Sequence, residues 1–223
     1  LSAKVMKSIV LINPDKIQNL SDENKNTMIQ QTINAAKNQN ENKDDESDDL
    51  ADVIADIIVE ADAETSGQLI QQLDKTELEE ETDLNLSILE KLSDKDLFEE
   101  KLEIISIRSE LNENSIKNFI SKSIKEVDNE QKMEKITEII EKSESIVNEN
   151  IIESGEENEV AKKKVTEIIT KVIEKNPEKA IEIFDKNKKT KKISKIIKTK
   201  IENGDAIIGE DFDDVFDTNI SPN

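Results

Sequence analysis

Carboxylates and ammonium groups are nearly the whole chemical repertoire of this chain. There are 52 Asp and Glu against 31 Lys and Arg, Arg108 is the only arginine, and His, Cys, Trp and Tyr are missing. That inventory excludes disulfides, thiolate or imidazole metal sites, Ser-His-Asp and Cys-His catalysis, and haem held by His or Cys. A carboxylate-bridged di-metal bundle is excluded too, because it needs Glu-x-x-His. Hydrolysis by a carboxylate pair needs one acid raised in pKa by apolar surroundings, whereas the acids here fall mostly on the polar sides of helical patterns. Four glycines leave no room for a phosphate-cradling loop. The tail residues Asp211, Asp213, Asp214, Asp217 and Asn219 offer oxygen ligands suited to a hard cation such as Ca²⁺. No twelve-residue window adds the glycine and terminal glutamate of an EF-hand, so a solvated acidic tail is expected. The sequence therefore assigns no catalytic residue, no metal ligand, no cofactor and no small-molecule substrate.

Charge is segregated along the chain. Residues 41–64 hold eleven acids against the single Lys43, residues 186–200 hold eight lysines and no acid, and residues 202–217 hold seven acids and no lysine. The lysine run has two readings: a basic contact for an acidic partner, or a solvated helix face neutralised by nearby acids. Lys188, Lys191, Lys192 and Lys195 are the candidate partner-contact patch. Nucleic acid is a poor fit for it, because such sites use arginine forks and stacking aromatics, and the net charge of -21 repels a polyanion.

The elements that must carry these charges are helices. Leu50, Val53, Ile54, Ile57, Ile58 and Ala61 follow the 3–4 spacing of one buried helix face, as do Met133, Ile136, Ile139, Ile140 and Val147. Val165, Ile168, Ile169, Val172 and Ile173 form a third stripe, and Ile193, Ile196, Ile197 and Ile201 a fourth. Ser21, Thr76 and Ser93 are expected as helix N-caps. Asn13-Pro14 and Asn176-Pro177 each set a cap before a proline at the first helical position. Ser154-Gly155 and Asn203-Gly204 are expected as C-terminal stops. The longest apolar run, Ile9–Ile12, is far short of the ~20 residues of a membrane span, so no membrane insertion is expected.

Three echoes run through the helical pattern. Leu73-Asp74, Leu92-Ser93 and Leu111-Asn112 recur every 19 residues, Asn13–Thr27 aligns with Asn176–Thr190, and Ile168, Ile169, Ile173, Glu174 return 28 residues later as Ile196, Ile197, Ile201, Glu202. The periods disagree, which leaves degenerate α-helical repeats and an irregular bundle both open. The fold expected is all-α, an elongated array or bundle of short antiparallel helices. Its low apolar content of 34% suits narrow helical seams better than a thick core. The expected divisions are N-terminal helices over 1–38, an acidic polar linker over 39–49, a main helical array over 50–208 and an acidic tail over 209–223. In that tail Phe212, Val215 and Phe216 could dock on the body.

The cadence of leucine, polar cap and amphipathic helix is similar to that of α-helical repeat scaffolds in general, and that resemblance implies binding or spacing of other macromolecules. Function is expected to be non-enzymatic: a structural or protein–protein interaction scaffold, with a protein partner or self-association. A capsid-assembly or internal virion protein and the helical stalk of a secreted cell-surface protein are the alternatives. The ends, Leu1 and Ile220–Asn223, suggest a segment of a longer chain. No compartment is assigned.

Overall fold

The computed structural model describes residues 45–216 apart from 61–62, 76–82, 97, 109–111, 144 and 187, together with the isolated positions Ser21, Asn24, Thr27 and Gln31. Among the described residues the secondary structure is helical throughout, with no strand. The chain is all-α, as the periodicity requires. It divides into two compact units, Leu1–Glu126 and Val127–Asn223, a boundary that falls inside the 50–208 stretch read as one array. None of the described helices is long and apolar enough to cross a membrane.

The first unit contains α1 (Asp45–Glu60), α2 (Ala63–Lys75), α3 (Leu84–Ser93), α4 (Phe98–Arg108) and α5 (Asn112–Lys125). Helix α1 begins within the 39–49 stretch expected as a linker. Carboxylates in a first turn are favoured by the helix dipole, so an acid-rich run can be a helix start. Val53, Ile54, Ile57 and Ile58 of α1 are buried, as their spacing requires. They meet α2, α3 and α4, and α5 closes the unit against α2, α3 and α4 with Ile116, Phe119, Ile120 and Ile124. Ser66 is buried where α2 leaves α1, its hydroxyl donating to the Ile58 carbonyl at 2.9 Å. Ser93 is a correction: it ends α3, donating to the Glu90 carbonyl at 2.7 Å, and so caps nothing downstream. Thr76, Asn13-Pro14 and the N-terminal half of the 13–27 echo lie outside the described residues, while Ser21 Oγ accepts from the Asn24 N–H at 3.4 Å as a cap would.

The second unit contains α6 (Glu130–Lys142), α7 (Ile146–Gly155), α8 (Glu159–Lys175), α9 (Pro177–Asp185), α10 (Lys191–Asn203), a 3₁₀ turn over Gly209–Phe212 and the short α11 (Asp213–Phe216). Helix α8 is its axis, touching α6, α7, α9 and the 3₁₀ turn, while α9 and α10 form a hairpin. Three helices start on asparagine side chains: Asn129 accepts from the Lys132 N–H, Asn158 from the Val160 and Ala161 N–H groups, and Asn176 from the Lys179 N–H ahead of Pro177. From their caps onward α6 and α8 share eight of fourteen residues at a spacing of 29, including Lys135-Ile136-Thr137-Glu138-Ile139-Ile140 against Lys164-Val165-Thr166-Glu167-Ile168-Ile169. The paired isoleucines are buried in both helices, so the likeness extends from sequence to cap and core register. The 28-residue echo then carries the pattern into α10, where Ile193 and Ile197 are buried but Ile201 is 47% exposed.

The tail docks, as expected. Phe212, Val215 and Phe216 are buried, and α11 lies on α7. The physical condition is Gly155, the last residue of α7. A Cβ there would sit 2.5 Å from the Phe216 ring, so only the missing side chain lets the ring in. Gly204 is the one residue with positive φ, 72°, closing α10 in the left-handed conformation that glycine tolerates.

Candidate functional site

The lysine run folds into the turn between α9 and α10 and the outer face of α10. Ile193, Ser194 and Ile197 turn inward, and the Thr190 hydroxyl locks the turn by donating to the Phe184 carbonyl at 2.8 Å. Lysines spaced 3–4 residues apart are then left on one exposed side. The run divides into two classes. Lys189 pairs with Glu153, Lys198 with Asp185 at 3.7 Å and Lys200 with Asp211 at 2.6 Å. Lys188, Lys191, Lys192 and Lys195 are exposed and make no hydrogen bond or ion pair among the described residues. These are the four residues picked from sequence, and the structure brings them together on one turn and the first two turns of one helix.

The acids nearby are already engaged. The Ser194 hydroxyl, 3.0 Å away, together with Lys198 and Lys191 as positive neighbours, holds the Asp185 carboxyl below the usual carboxylate range. Burial alone would raise Asp211, but the Ile208 N–H at 2.8 Å and Lys200 pull it below that range. Asp211, read as a possible cation ligand, thus serves as a cap and an ion-pair partner. Among the described residues no group of three or more acids is placed to share a metal ion.

Sequence reasoning missed two features. One is an open cleft of about 640 Å³ in the second unit, floored by Thr166 and Thr170 of α8 and walled by Glu130 and Met133 of α6 and by Gly209 and Glu210 of the 3₁₀ turn. Lys171 crosses to Glu130 at 2.6 Å inside it. Glu159, Glu167, Glu174 and Glu210 line the cleft with no hydrogen bond or ion pair of their own. Val160 and Ile208, next in sequence to the lining residues Glu159 and Gly209, are 76% and 50% exposed. The 3–4 spacing of Glu159, Lys163, Thr166, Thr170 and Glu174 carried a readable signal for the floor; nothing in the sequence announced that Gly209 and Glu210 would fold over it.

The other is Glu126 in the first unit. Its Oε1 accepts from the Asn85 side-chain Nδ2 at 2.6 Å and the Asn85 N–H at 3.4 Å, and its Oε2 accepts from the Leu86 N–H at 2.7 Å. It caps the start of α3 from about forty residues away, because the local cap residue Asp83 makes no side-chain cap bond. Burial pushes the Glu126 carboxyl up to about 7, against the pull of the three donors. Asn85 Oδ1 beside it is buried without a partner.

Compared with protein-family models, with curated proteins and with solved structures, the chain matches none.

Proposed function

We propose that this chain is a non-enzymatic helical scaffold that acts by protein contact, with Lys188, Lys191, Lys192 and Lys195 as the surface that meets an acidic protein partner. The observation that carries this reading is the division of the lysine run: its neighbours are neutralised within the fold, and these four are not. Four ammonium groups held on one short rigid element meet a partner at little ordering cost beyond their own side chains. Nucleic acid is disfavoured as that partner by the lone arginine, the absence of Trp and Tyr and the charge of -21. The most perturbed carboxylate, Glu126, has both oxygens committed to capping α3, which supports a role in the fold and not in catalysis.

The test is titration with poly-glutamate at about 0.15 M ionic strength, where screening over ~8 Å suppresses long-range repulsion but not contact pairs. Replacing the four patch lysines by Gln is expected to weaken binding by at least about tenfold, four pairs at a few tenths of a kcal/mol each. Replacing the exposed Lys142, Lys163, Lys175 and Lys179 should weaken it far less. Equal losses from both sets would reduce the patch to ordinary solvated surface.

A further inference from the structure

Four unpaired carboxylates stand around the cleft on α8, and four unpaired lysines stand on α9–α10 of the same unit. We infer that the cleft takes the lysine-bearing face of α10 from a second copy of the chain, so that copies associate head to tail. This inference rests on the patch reading above and names its partner. The cleft is more than a collection of acids. It is a concave space of about 640 Å³, its floor carries the methyl groups of Thr166 and Thr170, and Met133 supplies an apolar wall. Val160 and Ile208 add exposed apolar side chains beside it. The incoming helix is matched in kind: Lys191 and Lys195 lie one turn apart, and the exposed Ile201 follows on the same helix. Lysine stems cover apolar surface while the ammonium groups reach carboxylates.

The two surfaces do not satisfy each other within one chain, since neither set makes an ion pair. They are also different surfaces, so the contact is heterologous, and each added copy leaves one free cleft and one free patch. Growth then continues unless the rotation between copies closes a ring.

The experiment is sedimentation equilibrium of the full chain at about 0.15 M ionic strength, where repulsion between two copies of charge -21 is screened. A cleft variant (Glu167→Lys/Glu174→Lys/Glu210→Lys) keeps an intact patch, and a patch variant (Lys188→Glu/Lys191→Glu/Lys192→Glu/Lys195→Glu) keeps an intact cleft. All seven positions are exposed, and circular dichroism checks that helicity is kept. The unaltered chain is expected to grow in mass with concentration beyond a dimer. Each variant alone associates at least tenfold more weakly, and an equimolar mixture of the two stops at a one-to-one heterodimer. Wild-type growth with no heterodimer in the mixture overturns the inference, as does a chain that stays monomeric at every concentration. If that monomer still binds poly-glutamate through the patch, only the choice of partner has failed; if it does not, the patch reading has failed with it.

Discussion

The two units solve the same problem, ending helices and placing charge, by different means. In the second unit the caps are local: Asn129, Asn158 and Asn176 each bond N–H groups two or three residues ahead. In the first, α3 is capped by Glu126, whose carboxylate comes from the far end of α5. Charge follows the same division. Lys95 of the first unit is held by two carboxylates of α1, Asp52 at 2.9 Å and Asp56 at 2.7 Å, whereas the second unit leaves four lysines and four glutamates unpaired. The difference teaches that polar groups in the first unit are spent on joining helices distant in sequence, while local capping in the second frees charged surface for something outside it.

The largest way to break the comparison is through the docked tail, the one long-range closure in the second unit. Phe212 is fully buried between the 3₁₀ turn and the body. Phe212→Ala is expected to cost about 3–5 kcal/mol, read as lost hydrogen-exchange protection in α7, α8 and α10 with α1–α5 unchanged. Protection lost equally in both units would mean that they unfold as one.

The pH dependence should separate the units by sign. Glu126 is raised from its ordinary value to about 7 when folded, so between about 4.5 and 7 the folded first unit holds more protons than the unfolded chain. Its stability from this group is greatest below 4.5, falls as pH rises toward 7 and is level above. The full change is at most about 3 kcal/mol, at about 1.4 kcal/mol per pKa unit, with the Asp83 carboxylate as the facing charge that adds to the rise. Asp185 and Asp211 in the second unit are held low, so their contribution is present above the usual carboxylate range and fades as pH falls through it. Exchange protection measured from pH 4 to 8 should therefore slope in opposite directions for α3 and α10. In Glu126→Ala the α3 slope should vanish; a slope that survives would assign it to another group.

How legible each part was follows from the same contrast. The stripes at 53–58, 133–140, 165–173 and 193–197 announce helices because burial recurs at helical period along one stretch. Asn176-Pro177 announces its cap because donor and acceptor lie three residues apart. Glu126 and Asn85 are 41 positions apart, and no local pattern links them. Ser93 misled for the converse reason: its hydroxyl had a carbonyl behind it, at Glu90, to bond instead of N–H groups ahead. The patch lysines were readable as a run, but which of the eight would stay unpaired depended on Glu153, Asp185 and Asp211 arriving beside the others.

A smaller effect sharpens the capping contrast. Asn158→Ala removes the acceptor of two N–H groups and should cost about 1 kcal/mol, with Asn129→Ala similar or less because it serves one. Each loss should show as fraying confined to the first turn of α8 or α6 by hydrogen exchange. Fraying that spreads through the second unit would mean that the caps also fix how the helices are seated.

The smallest effect is the one that separates lysines that serve the fold from lysines available to a partner. Lys95→Gln breaks two ion pairs that span α1 and the end of α3, and the pair geometry raises the Lys95 pKa: burial alone would lower it, but Asp56 and Asp52 outweigh that. Its loss should lower the stability of the first unit by up to about 1 kcal/mol. Lys191→Gln and Lys195→Gln break no ion pair, and the two like charges one turn apart repel by a few tenths of a kcal/mol. Their replacement should leave the denaturation midpoint unmoved or slightly raised. A patch lysine whose removal destabilised the second unit would be a structural residue after all, because a charge kept for a partner has no folded-state contact to lose.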